Sequence, residues 1–167
     1  MRPVIVIILI LGGLVLSAAG SVSAQRPPRF ENYRVAGIYK GRTARPIIDK
    51  DSRTFRTRVR WAAKSRPTFA GEYILGQIGC GAACRLTFAL NARTGRVVWL
   101  PFTICCWQPD AIDEATDATK ARLNSRLIIL RGLRNEGEGD YVGDAMTDTH
   151  YYQLRNGEFR YMKTIKK

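Results

Sequence analysis

The sequence predicts a mixed α+β domain: a mainly antiparallel β-sheet, built from a meander and a C-terminal hairpin, with one packed helix. Three features carry that expectation. From Phe69 onward, short apolar or alternating runs are separated by turn residues. Near the C-terminus, Asn156-Gly157 stands between two such runs, which is the sequence signature of a type I′ hairpin. The best helical window, Asp51–Lys64, places apolar residues at helical spacing.

The N-terminus lies outside that domain. Arg2 supplies a positive start, Val4 to Leu16 is almost wholly apolar, and Val22-Ser23-Ala24 offers the small residues a signal peptidase reads. The apolar run is shorter than the roughly 20 residues that span a bilayer core. Residues 1–24 are therefore expected to be a cleaved secretory signal peptide, which places the mature chain in the periplasm or outside the cell. Residues 25–32, with Pro27 and Pro28, read as a flexible leader. Residues 33–167 suit a single domain of about the commonest size, ~100–150 residues. No later run has the length and apolarity of a membrane span.

Tyr33–Tyr39 reads as a first, poorly patterned strand. In the helical window, Asp51 is placed to cap the first turn. Phe55, Val59 and Ala62 share one face, and Pro67 ends the element. Arg53, Arg56, Arg58 and Arg60 lie off the apolar stripe. They form a candidate binding face, although such a face is commonly just solvated. Phe69–Ile78, Cys84–Leu90 and Arg96–Phe102 form the meander. Its first turn is Gly79–Ala83, and its second is Asn91-Ala92-Arg93-Thr94-Gly95.

Gln108–Asn124 reads as an acidic surface excursion with one or two helical turns. Arg126–Leu130 is a central strand buried on both faces. Gly132–Asp144 reads as a loop. In the final hairpin, pairing Arg155 with Glu158 sets Leu154 opposite Phe159 and Tyr152 opposite Tyr161. Large cross-strand pairs of this kind stabilise a sheet.

The four cysteines are Cys80, Cys84, Cys105 and Cys106. In an exported chain they are expected to be oxidised. A tight Gly79–Ala83 turn brings Cys80 and Cys84 across its neck, within reach of a disulfide. If Asn91 pairs with Arg96, Cys84 faces position 103. A bridge from Cys84 to Cys105 or Cys106 is then the rival, and only one of those neighbours can share its face. Redox chemistry at a Cys-x-x-Cys motif relies on a helix start that stabilises the thiolate. Here the spacing is Cys-x-x-x-Cys in a strand turn. Zinc sites pair two thiolate elements, and Cys105-Cys106 cannot serve as the second.

Arg56-Thr57, Phe69-Ala70-Gly71-x-Tyr73, Gly79-Cys80-Gly81-x-x-Cys84, Thr94-Gly95, Ser125-Arg126-Leu127 and Tyr151-Tyr152 together resemble a family of small exported bacterial proteins. The likeness runs from about Tyr33 onward, and the Gly-Cys-Gly-x-x-Cys core is its most specific part. It implies an export route and a shared fold. That family has no established activity, so the resemblance carries over no catalytic residue and no role for Cys105 or Cys106.

The formal net charge is +13, and Arg2 alone among the basic residues is expected to leave with the signal peptide. Such a balance favours an anionic envelope component or an acidic envelope protein as partner. Export makes nucleic acid the poorest choice. The basic residues read as dispersed, so solubility alone also accounts for them. A hydrolase would have to use His150, the sole histidine, with Asp148 and a nucleophile such as Ser125. No Gly-x-Ser-x-Gly elbow accompanies them. Asp140, Asp144 and Asp148 are the carboxylates a glycoside hydrolase would draw on. No cofactor is expected, since no phosphate cradle or dinucleotide fingerprint follows a strand. The sequence therefore points to an exported, basic, disulfide-containing binding protein. A thiol-disulfide oxidoreductase, or a small hydrolase around His150, is the alternative.

Overall fold

The computed structural model describes residues 26–81, 84–106, 118–136 and 145–166. The proposed signal peptide, most of the acidic excursion, Asp140 and Asp144 lie outside the described residues. Among the described residues, eight strands form two four-stranded antiparallel sheets. Sheet one has the order β1 (Tyr73–Gly81), β2 (Cys84–Asn91), β3 (Val97–Cys105), β6 (Leu133–Asn135). Sheet two has the order β4 (Thr119–Ala121), β5 (Leu127–Arg131), β7 (Thr149–Arg155), β8 (Glu158–Ile165). The one α-helix among the described residues is α1 (Arg56–Ala62).

Period-two alternation decides which side chains meet. Leu100, Phe102 and Ile104 of β3, with Ala89 of β2, face Ile128, Leu130, Tyr152 and Leu154 of sheet two. They form the core between the sheets. The opposite side of sheet one presents Ile74, Ile78, Phe88 and Leu90, which pack under Val59 and Ala62 of α1. The molecule is thus three layers deep: helix, sheet, sheet.

The predicted meander and final hairpin are present. Arg155 pairs with Glu158, Leu154 with Phe159 and Tyr152 with Tyr161, as the alternation requires. Asn156 and Gly157 take the positive φ values of 54° and 76° that this turn demands.

Four expectations need correction. Tyr33–Tyr39 is not a strand; it makes one isolated bridge, Arg34 to Ser125. The helix is shorter than Asp51–Lys64. Residues 51–55 are turns, and Phe55, not Asp51, occupies the cap position without a side-chain cap bond. Asp49 does the local capping one turn earlier, accepting the Ser52 amide at 2.8 Å. The described end of the acidic excursion is strand β4 rather than helix, because Thr119–Ala121 pairs with Ile128–Leu130. Finally, Leu133–Asn135 is a strand and not loop.

That last strand exists because the chain changes sheets at Gly132. β5 belongs to sheet two and β6 to sheet one, with Gly132 alone between them. Its φ of 119° lies where a side chain is strained. The described part of the leader, residues 26–32, runs beside the domain. Phe30–Tyr33 forms a 3-10 turn, Arg122 contacts Glu31 at 2.8 Å, and the Ser125 hydroxyl donates to the Phe30 carbonyl at 2.9 Å.

Candidate functional site

The basic residues, read as dispersed, are most concentrated in one segment. Residues 40–66 hold ten basic residues against Asp49 and Asp51 alone, a local excess of eight charges. All ten basic residues are exposed. None takes part in an ion pair among the described residues. This segment is the outer layer over sheet one, so the charge gathers on one side of the molecule. Arg53, Arg56, Arg58 and Arg60 belong to it, as the sequence suggested. Lys40, Arg42, Arg45, Lys50, Lys64 and Arg66 were missed, although a charge count over this window finds them.

The layer is fastened at several points. The Ala44 amide donates to the Ala92 carbonyl, and the Ile47 amide to that of Gly95, each at 2.8 Å. Gly95 has a φ of +77°, and a Cβ there would collide with the Arg45 carbonyl. The close approach therefore requires glycine. Thr43 donates to the Ser65 carbonyl at 3.3 Å, joining the two ends of the segment. Beneath, Phe55 contacts Trp99 at 5.4 Å between centroids, and Trp99 contacts Phe88 at 4.9 Å. With Phe55, Val59 and Ala62 turned inward, the arginines are left facing solvent. Trp61 stands among them and is 67% exposed, unusual for so large an aromatic surface.

The layer leads towards a cleft of about 880 Å³. Residues 35–39, the β2–β3 turn and the β7–β8 turn converge there. Arg93, Arg96, Arg126 and Arg155 line it, with Tyr39 and Tyr73. Asn91 shapes the turn by accepting the amides of Arg93 and Thr94 at 2.9 and 3.0 Å. Glu72 holds the Arg93 side chain at 3.0 Å, and its guanidinium lies 4.7 Å from the Tyr39 ring centre. Arg126 is used structurally, donating to the Arg34 carbonyl at 3.4 Å. The sequence did not reveal this cleft, because its three walls are distant along the chain.

The hydrolase constellation does not assemble. Ser125 lies five residues before Leu130, the residue paired with His150. At about 3.3 Å per strand residue, that separation is roughly 16 Å. His150 is fully buried. Its Nε2 lies 2.7 Å from the Gly132 carbonyl, and its Nδ1 2.8 Å from the Thr164 hydroxyl. A carbonyl only accepts, so Nε2 carries a proton and donates it. His150 thus secures the residue at which the chain changes sheets. Asp148 is also buried and accepts the Ala145 amide at 2.9 Å.

The disulfide joins Cys80 and Cys84. Cys105 is buried and Cys106 half-buried, and neither is in a disulfide. Cys84 faces Cys105 and not position 103. A bulge causes the shift: Leu86 pairs with Thr103 and Phe88 with Trp99, so Leu100, Pro101 and Phe102 all lie opposite Thr87. Pro101 has no amide to donate, which suits it to such an irregularity. Among the described residues no cluster of three or more His, Cys, Asp or Glu could hold a metal ion, and no helix is long and apolar enough to cross a membrane. Comparison with protein-family models, curated proteins and solved structures finds no match.

Proposed function

We propose that this chain is an exported, non-enzymatic binding protein that holds an anionic component of the cell envelope against residues 40–66. The observation behind it is the excess of eight charges in that segment, with every cation exposed and outside any ion pair among the described residues. Near an anionic lipid surface each Lys or Arg contributes about 1 kcal/mol, so several acting together give useful affinity. Trp61 supports a lipid headgroup region as the docking place, since tryptophan favours membrane–water interfaces. The export half of the proposal rests on the Val4–Leu16 apolar run and the Val22-Ser23-Ala24 site.

The test is co-sedimentation with vesicles of phosphatidylglycerol and of phosphatidylcholine across a salt series. Binding is expected to the anionic vesicles alone and to weaken as salt screens the charges. A variant carrying Arg53→Ser, Arg56→Ser, Arg58→Ser and Arg60→Ser should lose at least tenfold in affinity. Equal binding to both vesicle types, or undiminished binding by the variant, overturns the proposal.

A further inference from the structure

The four cysteines converge at one end of sheet one, and Cys80 and Cys105 compete for the sulfur of Cys84. Cys84 is bonded to Cys80 across the hairpin neck. It is also the ladder partner of Cys105 on β3. Directly opposed residues of an antiparallel pair share a face, with Cα atoms about 4.5–5.5 Å apart. That lies inside the span of about 4.4–6.8 Å over which disulfides form. Cys84 therefore has two disulfide-competent neighbours. The bulge at Thr87 creates this arrangement, for without it position 103 would stand where Cys105 does. Beside Cys105, the Cys106 sulfur approaches the Cys105 sulfur to 2.9 Å. The backbone of Cys106 is left-handed, with φ 57°, a conformation costly for a non-glycine residue.

We propose that this end of the sheet is a thiol–disulfide exchange site in which Cys105 attacks the Cys84 sulfur. Cys105 gives its proton to water and attacks as the thiolate. The Cys105–Cys84 bond forms as the Cys84–Cys80 bond breaks, and Cys80 leaves as a thiolate that takes up a proton. One disulfide is exchanged for another, so no outside oxidant or reductant is required. The outcome moves the reactive sulfur from a buried place to an open one. Cys105 is only 6% exposed, whereas Cys80 lies on the exposed end of β1. The released Cys80 can then attack a partner's disulfide once, forming a mixed disulfide and expelling the partner's other sulfur as a thiolate, a covalent attachment without turnover that is compatible with the binding role proposed above. The arginine-rich layer has no part in this chemistry.

The experiment is peptide mapping of the native protein, purified without reductant, held at pH 8 and then unfolded in guanidinium containing N-ethylmaleimide, so that buried thiols are also alkylated. Two populations are expected. In one, Cys80–Cys84 is bridged and Cys105 and Cys106 are alkylated. In the other, Cys84–Cys105 is bridged and Cys80 and Cys106 are alkylated. Cys105→Ser should reduce Cys80 alkylation at least tenfold, while Cys106→Ser should still form the second bridge. Cys80→Ser provides an independent arm, since its Cys84 should be recovered bonded to Cys105. Three results overturn the proposal: Cys80–Cys84 as the sole bridge with Cys105 alkylated, a Cys105–Cys106 bridge beside an intact Cys80–Cys84, or an alkylated Cys84 in Cys80→Ser.

Discussion

The indole of Trp99, on β3, donates a hydrogen bond to the hydroxyl of Ser52 at 3.1 Å. Ser52 is completely buried and precedes α1, so this bond joins the basic layer to the sheet beneath it. Ser52→Ala leaves the indole N–H without that partner. Trp99 is half-buried, so the loss should fall towards the lower end of the roughly 1–3 kcal/mol that a buried unsatisfied donor costs. Urea unfolding should show that loss, and an unchanged midpoint would mean the bond does not secure the layer.

His150 secures the other critical join. Replacing it by Ala removes the donor to the Gly132 carbonyl and opens a cavity in the β5–β7–β8 region. Both effects destabilise, and together they should cost at least about 2 kcal/mol. The check is thermal or urea unfolding. A variant with wild-type stability would remove the structural role assigned to this histidine.

The arginine face should behave in the opposite way. Arg53, Arg56, Arg58 and Arg60 are exposed and outside any ion pair among the described residues. Surface substitutions away from special contacts usually change stability by no more than about 0.5 kcal/mol each. The four-serine variant should therefore melt close to the parent while losing vesicle binding. A large fall in its melting temperature would show that these side chains are holding the fold together.

Tyr151 and Tyr152 predict a limit on the alkaline side. Burial raises both phenols above their ordinary value near 10, although Arg131 opposes the shift at Tyr151 and Arg134 opposes it at Tyr152. Between the unfolded and the folded pKa, the folded state binds more protons than the unfolded chain. Stability is thus full below pH 10 and falls as the pH rises beyond it. Melting temperatures measured from pH 8 to 11.5 should drop above pH 10. Tyr152→Phe should soften that drop, and a flat profile would contradict the assignment.

Asp49 acts at the acid end with the reverse sign. Hydrogen bonding from Ser52 holds its carboxyl below the ordinary range. Its contribution is present above the unfolded carboxylate pKa and is lost as pH falls through the lowered folded value. In Asp49→Asn the melting temperature should decline less on acidification than in the parent.

Much of the local structure could be read directly. The Tyr152–Tyr161 and Leu154–Phe159 pairs follow from alternation around Asn156-Gly157. Phe55, Val59 and Ala62 do face the sheet, because their spacing matches the helical period. Cys80 and Cys84 are bridged because a short turn brings them together. Boundaries were harder. Nothing near Asp51 announced that the chain would remain in turns until Phe55. The three-residue strand Leu133–Asn135 was hidden in a glycine-rich stretch, since it is held by its partners Thr103, Ile104 and Cys105 and not by its own propensity.

What the sequence by itself determined was whatever depends on neighbours along the chain: hairpins from turn chemistry, a helix face from its period, and a disulfide across a tight neck. Only the tertiary structure decided the rest. It divided eight strands between two sheets at Gly132, set Cys105 opposite Cys84 through the bulge at Thr87, and gathered residues 40–66 on one face. Each of these depends on pairing between distant segments. Such pairing is selected by the burial of whole faces, and a shift of one residue in register turns every side chain to the other side.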